Sequence, residues 1–513
     1  SSVRTAVLDP LRDALDVMQT RWFELWVGTW PTAIDWTGAV VNTFVVASLE
    51  SFSELLFPPS HDHDRELRED HETYDRWAVE NELNLYFSQS TAYYFGENVF
   101  SIRNQAYDDM LWVVLGWLDA VKFVNSHARR QCRYVTSIQP WHGAQYTNAF
   151  AHRARVFYEL ARRGWDESLC GGGMMWNPSL EPYKNAITNQ LFIAASVGMY
   201  LHFPGDCNGS PFVVSDARSA RLPLITPHEP QFRRAAVDAY DWLKRSNMTN
   251  HQGLYVDGFH VTGWNRNGSV GTGKCDERNE MVYTYNQAVI LTGLRGLWES
   301  TGDQTYLEDA HRLVRNTLRA TGWSLDTAQA SGNSSWAGLG RDGILEDFCD
   351  HMGTCNQDGQ IFKGIYFHHL VHFCQPLPSQ ALVPGLTAVA DKDTALLHQQ
   401  SCREYAPWVV RNAQAAMATR DDNGRFGGWW GAREEWEEKI GTPTGAVDYR
   451  NGDHHASLEL ERGRWRDDAW LSSRSSESIV PKGDLNDRGR GRTLETQAAG
   501  VAVVRALWEF LDK

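Results

Sequence analysis

Two kinds of helical segment alternate along this chain. One kind is amphipathic: apolar residues recur at three- and four-residue steps, while Arg, Asp and Glu occupy the opposite face. Residues 4–24, 151–165, 230–246, 305–323 and 404–421 read this way. The other kind is apolar or small nearly all round, at 37–52, 107–124, 186–203, 280–299, 361–374 and 496–512. A helix without a polar face is buried on all sides. Some of these runs are rich in β-branched residues, but their length, their Ala, Gly and Leu content and their lack of internal turn signals favour helix over strand. With a further outer helix near 71–95, the pattern predicts about twelve helices in six outer–inner pairs.

Six inner helices ringed by six outer ones close into an all-α toroid, an (α/α)6 barrel. Length alone suggests two to four domains, yet one such ring absorbs the whole chain. A single domain over 1–513 is therefore expected. An open helical solenoid is the competing arrangement, and no fixed-period repeat supports it. Two stretches fall outside the pattern. Residues 58–82 are acidic and His-bearing, and 422–495 form a long Gly-, Arg- and Trp-rich connection. Both are expected as insertions, and they are long enough to frame the ends of a cleft.

Strict alternation makes all inner helices run in the same direction, so their N-termini gather at one mouth of the ring. Polar residues lie at those ends: Asp35 and Trp36, then Asp108 and Asp109, then Lys184, Asn185 and Asn189. Tyr283, Tyr285 and Asn286 follow, then Lys363, then Thr496 and Gln497. Scattered core polars would not segregate in this way, so the mouth is the expected site.

Asp108 and Asp109 carry the chemistry. One reading makes them helix-capping residues, with Asp108 as the cap and Asp109 in the first turn. A cap explains one carboxylate more readily than two, and glycoside cleavage needs two. Adjacent residues whose Cα atoms lie about 3.8 Å apart can bring their carboxyls to the roughly 5–5.5 Å separation of a retaining glycosidase. Convergent helix N-termini favour one ionised carboxylate, the nucleophile. Its charge raises the pKa of the other, which stays protonated as the acid. Rival chemistries are poorly represented. There is no GxSxG and no Walker loop. Gly171, Gly172 and Gly173 read as a turn at a cleft rim. His368, His369 and His372 have spacing that suits a metal but lack an HExxH pattern, and packing is the favoured reading. No metal and no cofactor is expected.

Composition narrows the partners. Lys plus Arg number 49 against 64 Asp plus Glu, a net charge of −15, which disfavours nucleic acid and anionic membranes. No apolar run reads as a bilayer span. The 22 Trp are many, and aromatic clefts suit sugar faces. Eight Cys form an even set that fits disulfides, with Cys349–Cys355 the favoured local pair. Sequons at Asn208, Asn247, Asn267 and Asn333 add to a secreted reading.

The segments AYDDMLWVVLGWLDA, GGGMMWNPSLEPYKNAITNQLF, YTYNQAVILTGLRGLWESTGD, DGQIFKGIYFHHL and NGRFGGWWG, in this order, resemble glycoside hydrolase family 76. The resemblance runs from about Asp35 to the C-terminus and leaves the two insertions unmatched. It implies an (α/α)6 barrel and an endo-acting, retaining α-1,6-mannanase without a catalytic metal. Asp108 would be the nucleophile and Asp109 the acid/base. The Cys and sequon content looks fungal, and the chain has no hydrophobic C-terminal tail, which favours a soluble, monomeric, secreted hydrolase. Trp36, Trp176, Trp429 and Trp430 would line subsites, and Lys184, Asn185, Tyr285, Asn286 and Lys363 would position α-1,6-mannan or brace the mouth. Two alternatives stand beside this reading. Some fungal relatives are thought to act as transglycosidases that move mannose-bearing glycans onto wall polysaccharide. The other alternative is a mannan-binding protein without catalysis.

Overall fold

The all-round apolar segments become the inner wall of a barrel, as their burial demands. The computed structural model describes residues 2–57, 72–134, 140–208, 225–332, 334–433, 440, 443–451 and 483–511. Within them the helices are α1 (Ser2–Trp22), α2 (Asp35–Leu56), α3 (Glu72–Gly96), the short α4 (Val99–Ile102), α5 (Tyr107–Tyr134), α6 (Thr147–Ala161) and α7 (Ala186–His202). Then come α8 (Pro230–Arg245), α9 (Val289–Thr301), α10 (Thr305–Ala320), the short α11 (Phe348–Met352), α12 (Gln357–Phe373), α13 (Lys392–Ala418) and α14 (Leu494–Phe510). Each inner helix packs on the next in the order α2, α5, α7, α9, α12, α14, and α14 packs back on α2, which closes the ring. The outer layer covers it, with α3 on α2, α6 on α5, α8 on α7, α10 on α9, and both α13 and α1 on α14. This is the (α/α)6 barrel.

One continuous cluster of buried apolar side chains joins the inner and outer layers. Small residues let inner helices approach closely. A Cβ on Gly296 of α9 would come within 2.5 Å of Val197 on α7, and one on Gly364 of α12 within 2.6 Å of Ala499 on α14. Helix α2 has the length and hydropathy of a membrane span, contrary to the expectation that no run would. Yet 83% of its most apolar stretch is buried inside the barrel, so its apolar surface is spent on neighbouring helices.

Several boundaries differ from expectation. The fourth inner helix begins at Val289, not near 280. Gln287 explains the delay: its side chain accepts the Tyr255 amide and donates to the Tyr255 and Tyr283 carbonyls, which holds the chain in a 3-10 turn at Tyr285–Gln287. Residues 72–82 belong to α3 and are no insertion, while 58–71, with His61, His63 and His71, lie outside the described residues, as does Asn333. A three-stranded antiparallel sheet, in the order Tyr183–Asn185, Gly258–His260, Glu277–Asn279, flanks the mouth. Cys349–Cys355 is bonded as expected, with Cys170–Cys275 and Cys374–Cys402 beside it. Cys132 and Cys207 are exposed free thiols, so the eight do not form a complete disulfide set.

Candidate active site

The Asp pair sits in the first turn of α5, and its two members face different environments. Asp109 does the capping: its Oδ2 accepts the amide of Ala106, three residues earlier, at 3.1 Å. Asp108 is no cap. Its carboxylate is 5% exposed and meets donors on separate sides. The Asp109 amide donates to Oδ1 at 3.1 Å and the Trp176 indole N–H to Oδ2 at 3.1 Å, with the Arg450 guanidinium 3.9 Å from Oδ2. Burial pushes the Asp108 carboxyl up to about 6, against the pull of Arg450 and of the hydrogen bonds. Trp176 is placed by the backbone: its carbonyl accepts the Tyr107 amide at 2.8 Å and its amide donates to Tyr183 O at 2.8 Å.

Aromatic rings and further carboxylates surround the pair. Trp36 stacks on Trp112, with centroids 5.7 Å apart, and donates its indole N–H to Asp358 at 3.0 Å. Tyr285 lies flat on Phe362 at 3.9 Å. Tyr183 donates to Asp257 at 2.7 Å and Asn286 to the other oxygen of Asp257 at 3.2 Å. Asp35 accepts from Ser101 and Gln105, each at 2.7 Å. Burial raises the phenols of Tyr183, Tyr283 and Tyr285 well above the usual range, so they remain hydroxyl donors. Trp112, Asp257, Asp358 and Arg450 were not singled out from the sequence. Trp112 carried a signal, because it stands four residues after Asp108 and so on the same helical face.

Other expected site residues are buried braces. Lys184, 1% exposed, points away from the Asp pair into the Gly-rich turn, where its ammonium donates to the carbonyls of Asp166, Leu169 and Gly172 at 2.5–2.7 Å. Gly171, Gly172 and Gly173 all take positive φ there, which is the turn expected at the rim. Asn185 caps α7 by accepting the Thr188 amide at 3.3 Å. Lys363 is fully buried in the wall, 2.5 Å from Asp350. Trp429 and Trp430, 5% and 4% exposed, are packed inward. Arg341 and Arg488 flank the Trp429 ring, and Lys363 stands 5.6 Å from the Trp430 ring. Packed in this way, the two Trp rings lie against cationic side chains of the wall. Thr496 joins Thr493 in a capping box on α14, and Gln497 ties Phe426 to Ala14. Part of the polar gathering at the mouth is therefore helix capping.

The three His of α12 are used inside the barrel. His368 faces Asp119 at 3.5 Å, His369 meets the Thr292 hydroxyl at 2.7 Å, and His372 meets Lys122 at 2.8 Å. An ammonium stands where a metal would need to be at His372. Among the described residues, the ligand atoms of Cys349, Asp350 and Cys355 cluster, but the two Cys share a disulfide and Asp350 holds Lys363.

Fold and site together give an (α/α)6 barrel with two adjacent carboxylates at the start of an inner helix. The sequence pattern of Glycosyl hydrolase family 76 matches residues 214–447, a span that begins after the Asp pair. The mannan endo-1,6-alpha-mannosidase DCW1 of Candida glabrata is 24% identical over 228 residues, 44% of this chain and 40% of that protein. The chain thus matches less than half the length of this relative. The GH76A alpha-1,6-mannanase of Salegentibacter sp. HEL1_6 superposes with a TM-score of 0.54 at 15% identity, covering 98% of both chains. A variant of that enzyme with two consecutive aspartates changed to asparagine is inactive and holds alpha-1,6-mannotriose. Dfg5 of Chaetomium thermophilum, in complex with glucosamine, superposes with a TM-score of 0.54 at 15% identity over 98% of this chain and 90% of that one. The chain is therefore similar to glycosyl hydrolase family 76 over residues 214–447 and shares its fold with these structures.

Proposed function

We propose that this protein is a retaining, endo-acting glycoside hydrolase that cuts α-1,6-linked mannan, and that residues 1–513 act as one catalytic domain. The observation that carries the reading is the placement of Asp108 and Asp109: consecutive, at the start of an inner helix, one buried among donors and the other at the helix entrance. Inactivation of the Salegentibacter enzyme by changing two consecutive aspartates supports it.

In the first step the Asp108 carboxylate attacks the anomeric carbon, and the bond to the leaving oxygen breaks. Asp109 gives that oxygen its proton. In the second step water attacks the same carbon, Asp109 takes the water proton, and the Asp108–sugar bond breaks. Two inversions give net retention. The donors on Asp108 orient its carboxylate, which is ionised above about pH 6 against the cost of burial, and that burial raises its nucleophilicity by removing water. Trp36 and Trp176, both partly exposed, offer ring surface to the sugar, while Tyr285 and Asn286 are buried behind them. The three disulfides support an oxidising, extracellular setting.

A second reading, transfer of the glycosyl group to a sugar acceptor, uses the same intermediate. The 5% exposure of Asp108 beneath Arg450 favours it, because limited water access prolongs the intermediate. The test is digestion of linear α-1,6-mannan by wild type, Asp108→Asn and Asp109→Asn, with and without an added oligosaccharide acceptor. Reducing ends released by wild type alone support the hydrolase. Longer products only when acceptor is present support transfer. Binding without any product would leave a mannan-binding protein.

A further inference from the structure

Arg450 comes from the long connection that the helical pattern left unassigned. Its backbone is pinned over the mouth. The Arg450 amide reaches the Asp448 carboxylate at 3.2 Å and its carbonyl accepts from Asn356. Neighbouring Val447 exchanges hydrogen bonds with the Asn279 side chain at 2.9 and 3.0 Å, and Asp448 accepts from the Tyr283 hydroxyl at 2.6 Å. The guanidinium is thereby inserted between the Trp176 ring, 4.9 Å from its centroid, and Asp108.

Only 9% of the Arg450 side chain is exposed, yet Nε and Nη2 have no hydrogen-bond partner. Those two nitrogens form one edge of the guanidinium, a two-donor fork. Leaving such donors buried and unsatisfied is costly, so the fork is a site awaiting an acceptor. Asp108 Oδ2 at 3.9 Å lies beyond hydrogen-bond reach. The gap is at the nucleophile itself, where the carbon next to the reacting centre carries its hydroxyl. The acceptor is neutral. Asp108 and Asp257 already offset the Arg450 charge, and Asp358 stands near, so an anionic substituent would face several carboxylates.

We propose that Arg450 is a substrate-binding residue whose Nε and Nη2 donate to the 2-hydroxyl of the sugar attacked by Asp108. This rests on the hydrolase reading and assigns the contact that reads the configuration next to the cleaved bond. Hydrogen bonds to this hydroxyl strengthen in glycosidase transition states, so the loss falls mainly on kcat.

The test compares wild type, Arg450→Met and Arg450→Lys on α-1,6-mannotetraose and on the same tetrasaccharide lacking its 2-hydroxyls, with folding checked by circular dichroism. A charged hydrogen bond predicts a fall in kcat/KM of about tenfold to a hundredfold for R450M on the full substrate. R450K should recover part of it. On the 2-deoxy substrate R450M and wild type should agree within about threefold. Equal losses on both substrates, or no loss on the first, would overturn the proposal. If R450M fails to fold, R450K decides by the same comparison. If wild type cleaves neither substrate, the hydrolase reading falls, and calorimetric binding of mannotetraose decides about Arg450. Binding weakened about tenfold or more upholds the contact, and unchanged binding overturns it.

Discussion

Replacing Asp108 by Asn should make the protein more stable while removing its chemistry. Burial holds the Asp108 carboxyl at about 6 instead of the usual 3.8. The folded state therefore binds its proton more tightly than the unfolded chain does. The stabilisation from that proton is complete below the unfolded pKa near 3.8 and is lost as pH rises through about 6. At neutral pH the ionised carboxylate then costs the fold about 3 kcal/mol relative to its protonated form. Asn mimics that form in shape and charge. For a chain of 513 residues, an unfolding entropy of about 2.1 cal/mol/K per residue converts this to a Tm rise of about 2–3 °C. Differential scanning calorimetry of wild type and Asp108→Asn at pH 4 and pH 7.5 measures it. The two proteins should melt together at pH 4, and the variant should melt higher at pH 7.5. A variant that melts at or below wild type at pH 7.5 would refute the claim that Asp108 is held ionised against its environment.

Three further outcomes follow from the same geometry. The acid limb of kcat/KM should fall near pH 6, because protonation of Asp108 removes the nucleophile; a profile flat down to pH 4.5 would contradict the assignment. Lys363→Met leaves Asp350 buried without its ammonium and should cost about 3–5 kcal/mol in denaturant unfolding. The Lys363→Met, Asp350→Asn double variant should recover much of that. Lys184→Met strands three carbonyls of the Gly-rich turn, so stability should fall by about 2–4 kcal/mol and limited proteolysis should cut first within residues 166–173.

Much of the fold was legible in the sequence because a barrel of this kind encodes each helix's place in its polarity. The inner helices have no polar face and the outer ones have one, so periodicity alone gives layer and order. It places the Asp pair at the mouth as well, since strict alternation fixes helix direction. What periodicity does not carry is where a long side chain points. Lys184 and Lys363 lie on elements near the mouth, yet their ammonium groups reach back to loop carbonyls and a buried carboxylate. Trp429 and Trp430, expected to line subsites from the resemblance of NGRFGGWWG, pack beside cationic side chains that no local pattern foretells. Arg450 and Asp257 lie on irregular chain, held by long-range side-chain hydrogen bonds that no local pattern reports. The Asp pair lies at the start of an inner helix as the alternation predicts, and there Asp109, not Asp108, makes the capping bond.

The central claim is that Asp108 and Asp109 act as nucleophile and acid/base in a double displacement. Proton NMR of a linear α-1,6-mannan digest, recorded within the first minutes before mutarotation, tests it most directly. The account predicts that the first new reducing end is the α-anomer, with Asp108→Asn and Asp109→Asn both silent. A β-anomer as first product would mean inversion by a single displacement and would contradict the role given to Asp108.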